Sequence, residues 1–210
     1  MAELLSQSEI DALLNNVKEG DSDEQIEAKS NSKEVVPFDF RLPNRISKNQ
    51  LRTMRNIHEN FAESFSSFLV SKLQSIVNIN IISVDQIYYS EYVLSVSNPS
   101  FNYTFDIVDT DIKAILEISP EFGITLVERL LGGAGSGQKG NETITAIEEK
   151  VMDVVVDRIM LDLKKSWAAV ANYDFKVDKF EPNIDFAQIT SPNESVLIIS
   201  FEVILEEKRY

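Results

Sequence analysis

Leu130-Leu131-Gly132-Gly133-Ala134-Gly135-Ser136-Gly137-Gln138-Lys139-Gly140 holds most of the chain's 7 glycines. Glycine reaches positive φ without steric cost and lets another backbone come close. The stretch is therefore expected to be an exposed loop, and the chain on either side of it reads as two related halves. A phosphate cradle of the form G-x-x-x-x-G-K-[ST] is absent. A G-x-G-x-x-G occurs at Gly135, Gly137 and Gly140, but it binds a dinucleotide only after a strand and before a helix. Here Glu121 to Leu131 reads as a helix, so a nucleotide site is not expected. Two readings stay open: a connector that ends a helix with Gly132 as its capping glycine, or a loop that docks a protein. On this stretch alone the connector is the simpler one.

Outward from the loop, each half runs in the same order. In the first, Ser47-Lys48-Asn49-Gln50 is a capping box, with Ile46 and Leu51 placed as a staple. Leu51, Met54, His58, Phe61, Phe65, Phe68 and Lys72 then trace one helical line. Strands are expected at Val77 to Val84, Gln86 to Val96, Phe101 to Val108 and Ile112 to Ile118. Asn98-Pro99 marks a turn. Ser119-Pro120 opens the short helix before the loop. In the second half, Thr145-Ala146-Ile147-Glu148 is another capping box. The helix to about Asn172 carries Met152, Val155, Val156, Ile159, Leu163, Trp167 and Val170 on one side. Strands are expected at Tyr173 to Phe180, Ile184 to Ile189 and Val196 to Leu205, with a turn at Ser191-Pro192-Asn193. The two halves are offset by about ninety-five residues. The expected fold is α/β (α+β): a pseudo-two-fold repeat of helix-plus-strand halves sharing one central, mostly antiparallel sheet flanked by long helices.

Ahead of these halves the composition changes. Leu5-Ser6-Gln7-Ser8-Glu9 is a capping box with a preceding staple residue, and Ile10, Leu13, Leu14 and Val17 form one apolar stripe. So short a helix is marginal alone. Lys18 to Glu34 is charged and polar, with Ile26 as its one large apolar residue, which is linker composition. A capped amphipathic helix on such a leash is better suited to a partner's groove than to its own domain. The expected division is a binding helix at 1–17, a disordered linker at 18–36, and a domain at 37–210 that opens with the extended Pro37 to Pro43.

Composition narrows the chemistry. The net charge of −14 argues against binding a phosphate backbone. With no cysteine there is no disulfide or thiolate metal site, and the single histidine rules out a histidine cluster. No cofactor and no metal are expected. His58 lies in the helical stripe, with no nucleophile or acid arranged for it.

At this point the chain resembles the flagellar motor switch family FliM. Leu5 to Asn15 looks like that family's N-terminal peptide, which also resembles the one in FliY. Phe38 to Arg52 resembles the opening of its middle domain, and Ile57-His58-Glu59-Asn60-Phe61-Ala62 and Arg129 to Gly135 fit as well. The resemblance implies a CheC-like middle domain and a place in the switch complex, the C-ring on the cytoplasmic face of the basal body. It implies that the N-terminal peptide binds phosphorylated CheY, here through Leu5, Ser6, Gln7, Glu9, Ile10, Asp11, Leu13, Leu14 and Asn15. It implies that the GGxG loop binds the middle domain of the rotor protein FliG, here through Arg129, Leu131, Gly132, Gly133, Ala134 and Gly135. Neighbouring copies are expected to pack side by side in a ring. In the family a last strand and a C-terminal domain that joins FliN follow. This chain stops at Tyr210, so it is expected to be truncated there and to lack that FliN contact.

The alternative is a CheC-type or FliY-type phosphatase of the phosphorylated regulator. Those enzymes carry a Glu with an Asn three residues later on each long helix, on one face. Here Glu59 and Asn60 are adjacent, the pairs Asn56/Glu59 and Asn60/Glu63 run in reverse, and the second long helix has no Asn before Asn172. A non-enzymatic adaptor is expected.

Overall fold

The computed structural model describes residues 46–137 and 143–210. The expected binding helix at 1–17, the linker at 18–36 and the lead-in through Pro43 lie outside the described residues.

Helix α1 (Lys48–Leu73) begins as its sequence dictates. Ser47 Oγ accepts from the Gln50 amide, and Gln50 Oε1 accepts from the Ser47 amide at 3.0 Å. Two of the helix's orphan donors are thereby satisfied. The helix buries Ile57, His58, Phe61, Ala62, Phe65, Leu69 and Leu73. Leu51, Met54 and Phe68 sit half-buried at the margin of that stripe, and Lys72 is exposed.

Strand β1 (Val77–Tyr88) follows. It runs through Asp85 without a break, and the expected second strand is instead a short helix, α2 (Tyr89–Ser95). Long-range contacts end the strand. The Tyr89 amide donates to Glu194 O and the Ser90 amide to Pro192 O. The buried Tyr89 hydroxyl donates to Ala187 O at 2.5 Å. Strands β2 (Phe101–Ile107) and β3 (Lys113–Ile118) form a hairpin, and α3 (Pro120–Leu130) leads into the glycine loop. Proline stands at the first position of α3 as expected, although Ser119 gives no side-chain cap.

The second half repeats the order. Helix α4 (Ala146–Trp167) is capped by Thr145 and Glu148. Then come β4 (Phe175–Glu181), a 3-10 turn at Ile184–Phe186, β5 (Ser195–Leu205) and β6 (Lys208–Arg209). The strand expected at Ile184 to Ile189 is that turn, because Asn183 Oδ1 accepts from the Asp185 amide and folds the backbone over.

The halves are cross-paired. β1 pairs with β5 along their whole lengths, Val77 opposite Leu205 and Tyr88 opposite Ser195, with a bulge between Ile81 and Ser83. β2 pairs with β3 and with β4. The shared sheet is realised as two three-stranded antiparallel sheets, ordered β1-β5-β6 and β3-β2-β4, and each takes strands from both halves. They are not continuous because β6 is two residues long and covers only the Leu205 end of β5. Between the rest of β5 and β3 lies a cleft of about 710 Å³ with Phe61, Phe65, Phe122 and Tyr210 in its lining.

The core fills the space between sheets and helices. Leu69, Phe101, Leu126, Met152 and Val155 have no exposed surface. Each such side chain is worth roughly 1.5–3 kcal/mol of burial. A polar clamp crosses the helix pair. Asp162 on α4 is fully buried and accepts from Arg158 Nε at 2.6 Å, and the Arg158 guanidinium lies 4.9 Å from the centre of the Phe68 ring on α1.

His58 occupies the structural role expected of it. It is 9% exposed, its Nδ1 is 2.8 Å from Met54 O, and its ring meets Trp167 edge-on and lies tilted against Phe201. Burial lowers its pKa below the ordinary 6.5, and the Met54 carbonyl offsets this only in part. The unfolded chain thus binds the proton more readily than the folded one, and stability rises with pH across that window. The contribution should be complete above about pH 6.5 and decline as pH falls below it toward the folded value. Melting temperatures of the wild type and His58→Phe between pH 7.5 and 5.5 check this: the wild type should lose more on acidification, and parallel curves would refute it.

Candidate functional site

The glycine loop starts where α3 runs out of hydrogen-bond partners. Leu131 is the C-cap, and Gly132 follows at φ 87. The Gly132 amide donates to Arg129 O at 3.1 Å and the Gly133 amide to Glu128 O at 2.7 Å. This pair of bonds is the Schellman arrangement, which needs a left-handed residue at the position of Gly132. The connector reading of Gly132 is thus correct as far as it goes.

The loop is also open to solvent. Leu131, Gly132, Gly133 and Ala134 are exposed, and Leu131 keeps 65% of its surface in water. An added Cβ at Gly132 would meet nothing within 4 Å, so that backbone is open to approach. Gly135 behaves differently. It is buried, at φ 74, and a Cβ there would lie 2.5 Å from Arg129 Nε. The loop wraps the Arg129 side chain, and only glycine fits the wrap. Arg129 is itself tied to the last strand pair. Its Nη2 turns back to both carboxylate oxygens of Glu206 at 3.3 Å.

The far end of the loop is tied to α3. The Glu128 carboxylate accepts from the Ser136 amide, from Ser136 Oγ at 3.0 Å and from the Gly137 amide at 3.4 Å. Lys208 Nζ donates to Ser136 O at 3.1 Å. Desolvation pushes the Glu128 carboxyl up, but the bonds from Ser136 and Gly137 and the nearby Lys208 charge outweigh it and hold it below the ordinary carboxylate range. Glu128, Ser136, Glu206 and Lys208 are the residues that sequence reasoning missed. Glu206 and Lys208 lie 77 and 72 positions from Arg129 and Ser136, the residues they bond, and no local pattern announces such a contact.

The structure brings Arg129, Leu131, Gly132, Gly133, Ala134 and Gly135 together as one ordered turn. Leu5, Ser6, Gln7, Glu9, Ile10, Asp11, Leu13, Leu14 and Asn15 lie outside the described residues. Asn56, Glu59, Asn60 and Glu63 all sit on the exposed face of α1, in the reversed order that distinguishes them from the phosphatase pair. Among the described residues no group of three or more His, Asp or Glu could hold a metal ion, and no helix is long and apolar enough to cross a membrane.

Comparison with known proteins agrees with this geometry. Residues 47–209 match the family model described as flagellar motor switch protein FliM. A curated relative, flagellar motor switch protein FliM of Treponema pallidum, is 34% identical over 99% of this chain, which spans 61% of that relative. Among solved structures, one chain of a FliG–FliM complex from H. pylori superposes with a TM-score of 0.76 at 33% identity, over 79% of this chain and 91% of that one. Thermotoga maritima FliY shares the fold, with a TM-score of 0.68 at 14% identity over 80% of this chain and 89% of its own. The matched domain, its cross-paired halves and its ordered glycine turn agree with one conclusion: the chain belongs to the FliM family of flagellar motor switch proteins.

Proposed function

We propose that this chain is a non-enzymatic adaptor of the flagellar switch complex, on the cytoplasmic face of the basal body, coupling a chemotaxis signal to rotation sense. The loop Leu131 to Gly135 docks the middle domain of FliG. The single observation that carries this reading is the turn itself: an exposed Leu131 beside an open glycine backbone, held rigid by a helix end. An apolar anchor on a pre-ordered turn loses little entropy on binding. The related chain found in a FliG–FliM complex supports the choice of partner. Residues 1–17 capture phosphorylated CheY at the end of the 18–36 linker, and the domain beginning at 37 supplies the ring contacts.

Leu131→Asp tests the loop. The side chain is exposed, so the melting temperature should stay within about 2 °C. Affinity for the FliG middle domain, by titration, should fall about a hundredfold or more, as for loss of an interface anchor. A folded Leu131→Asp protein with unchanged affinity would end the docking proposal. Gly133→Val is the less clean variant, because its Cβ would sit 3.1 Å from Glu128 O in the Schellman turn.

Side-by-side packing of copies is supported by a second surface. Ile147, Val154 and Leu161, seven apart along α4, keep 70%, 54% and 46% of their surface exposed. An apolar line on a solvent-facing helix is suited to a neighbouring copy. Cysteines at Arg55 and Asp157, on the edges of α1 and α4, should crosslink between copies in assembled rings. Absence of any crosslink there and at adjoining edge positions would count against it.

A further inference from the structure

We propose that the turn between β5 and β6 clasps the glycine loop, and that Glu128, Glu206 and Lys208 are positioning residues that hold Leu131 to Gly135 in its docking shape. The proposal rests on the docking role given to that loop above. Its own basis is the convergence of three ties on one short segment.

The first tie is internal to α3. Glu128, in the last turn of the helix, reaches forward and accepts from Ser136 and Gly137, closing the loop back onto the helix that launched it. The second comes from across the chain. Lys208 donates to Ser136 O, on the same residue whose amide Glu128 holds. The third fixes the floor. Glu206 accepts from Arg129, and the loop wraps Arg129 so closely at Gly135 that no side chain fits. Glu206 is itself held: its amide donates to Ile76 O at 2.9 Å, its carboxylate accepts from Ser75 Oγ at 2.8 Å, and its backbone adopts φ 57. The clasp therefore runs from the end of α1 through the β5–β6 turn to the loop.

An exposed ion pair such as Arg129–Glu206 contributes little to stability, and a single exposed hydrogen bond is worth little more. That is why the arrangement is better read as a device for shape. Leu131 to Ala134 has few packing contacts of its own, so its conformation is set by what holds its two ends. One end is the helix cap. The other is Ser136, where Glu128 and Lys208 meet.

Glu128→Ala and Glu128→Gln, made in the full chain, test the clasp. Gln keeps one carbonyl oxygen able to accept from the Ser136 or Gly137 amide, and it serves as the conservative rescue. Hydrogen exchange at Ser136 and Gly137 reads the clasp without reference to any partner. It should speed up about tenfold in Glu128→Ala and less in Glu128→Gln, with the melting temperature within about 3 °C of wild type. Affinity for the FliG middle domain should fall about tenfold in Glu128→Ala and partly recover in Glu128→Gln. Lys208→Ala should act in the same direction on both readouts, with Lys208→Arg restoring them. Unchanged exchange would overturn the clasp. Faster exchange with undiminished affinity would overturn the positioning role. Failure of the docking role is seen separately, as full affinity in Leu131→Asp, whatever the exchange rates are.

Discussion

Deleting residues 1–16 should abolish capture of phosphorylated CheY while leaving the melting temperature of the domain unchanged. In sequence, Ile10, Leu13 and Leu14 carry the apolar stripe of that segment, Val17 follows it, and Ser6-Gln7-Ser8-Glu9 has the capping-box pattern. Bound as a helix in a groove, the stripe supplies nearly all of the apolar contact. Leu13→Asp should do most of what the deletion does, because a carboxylate pressed into an apolar groove must be desolvated without a partner. A loss of several kcal/mol, about a hundredfold or more in Kd, is expected. Titration of the phosphorylated regulator against wild type, deletion and Leu13→Asp checks it. Equal binding by all three would move the regulator site to the domain.

Gly123→Ala should destabilise the domain, against the usual trend. In the interior of a helix that change ordinarily stabilises by about 1 kcal/mol. Here Gly123 lies in α3 with its face on β2, and an added Cβ would stand 2.3 Å from two ring carbons of Phe101. Phe101 has no exposed surface and packs with Phe180 at 6.2 Å between ring centres. Its ring has nowhere to go. The overpacking cost of about 1–3 kcal/mol, at its upper end, exceeds the helical gain. The melting temperature should drop by roughly 3–8 °C. Phe101→Leu in the same chain should recover part of the loss by making room. A Gly123→Ala protein that melts at or above the wild-type temperature would show that Phe101 can shift.

What the sequence makes legible is local. The two capping boxes, Ser47 with Gln50 and Thr145 with Glu148, form as written, because their bonds span three residues. The helical stripes and the long β5 face are legible for the same reason. Tyr89 to Ser95 is not. Its Tyr and Val content favours a strand, yet Tyr89 is captured by Ala187, ninety-eight positions away. The Ile184 to Ile189 strand fails because Asn183 competes for the backbone. At the candidate site the glycines are readable, since conformational freedom is a property of residue type; the exposure of Leu131 is not, because an apolar residue at a helix end reads as an anchor to the core. Glu206 and Lys208 are not, since a turn in the last strand pair reaches the loop only through the folded topology.

The cross-pairing of the halves carries one more consequence. Each sheet borrows strands from both sides of the stretch at 138–142, so neither half owns a complete sheet. A half made alone would present β1 without β5, or β4 without β2 and β5 without β1, as unpaired edges prone to association. The halves are mutually obligate, and the chain must emerge as far as β5 before its first strand finds its partner. Until then β1 needs shelter, which makes the middle of synthesis the vulnerable interval for this protein.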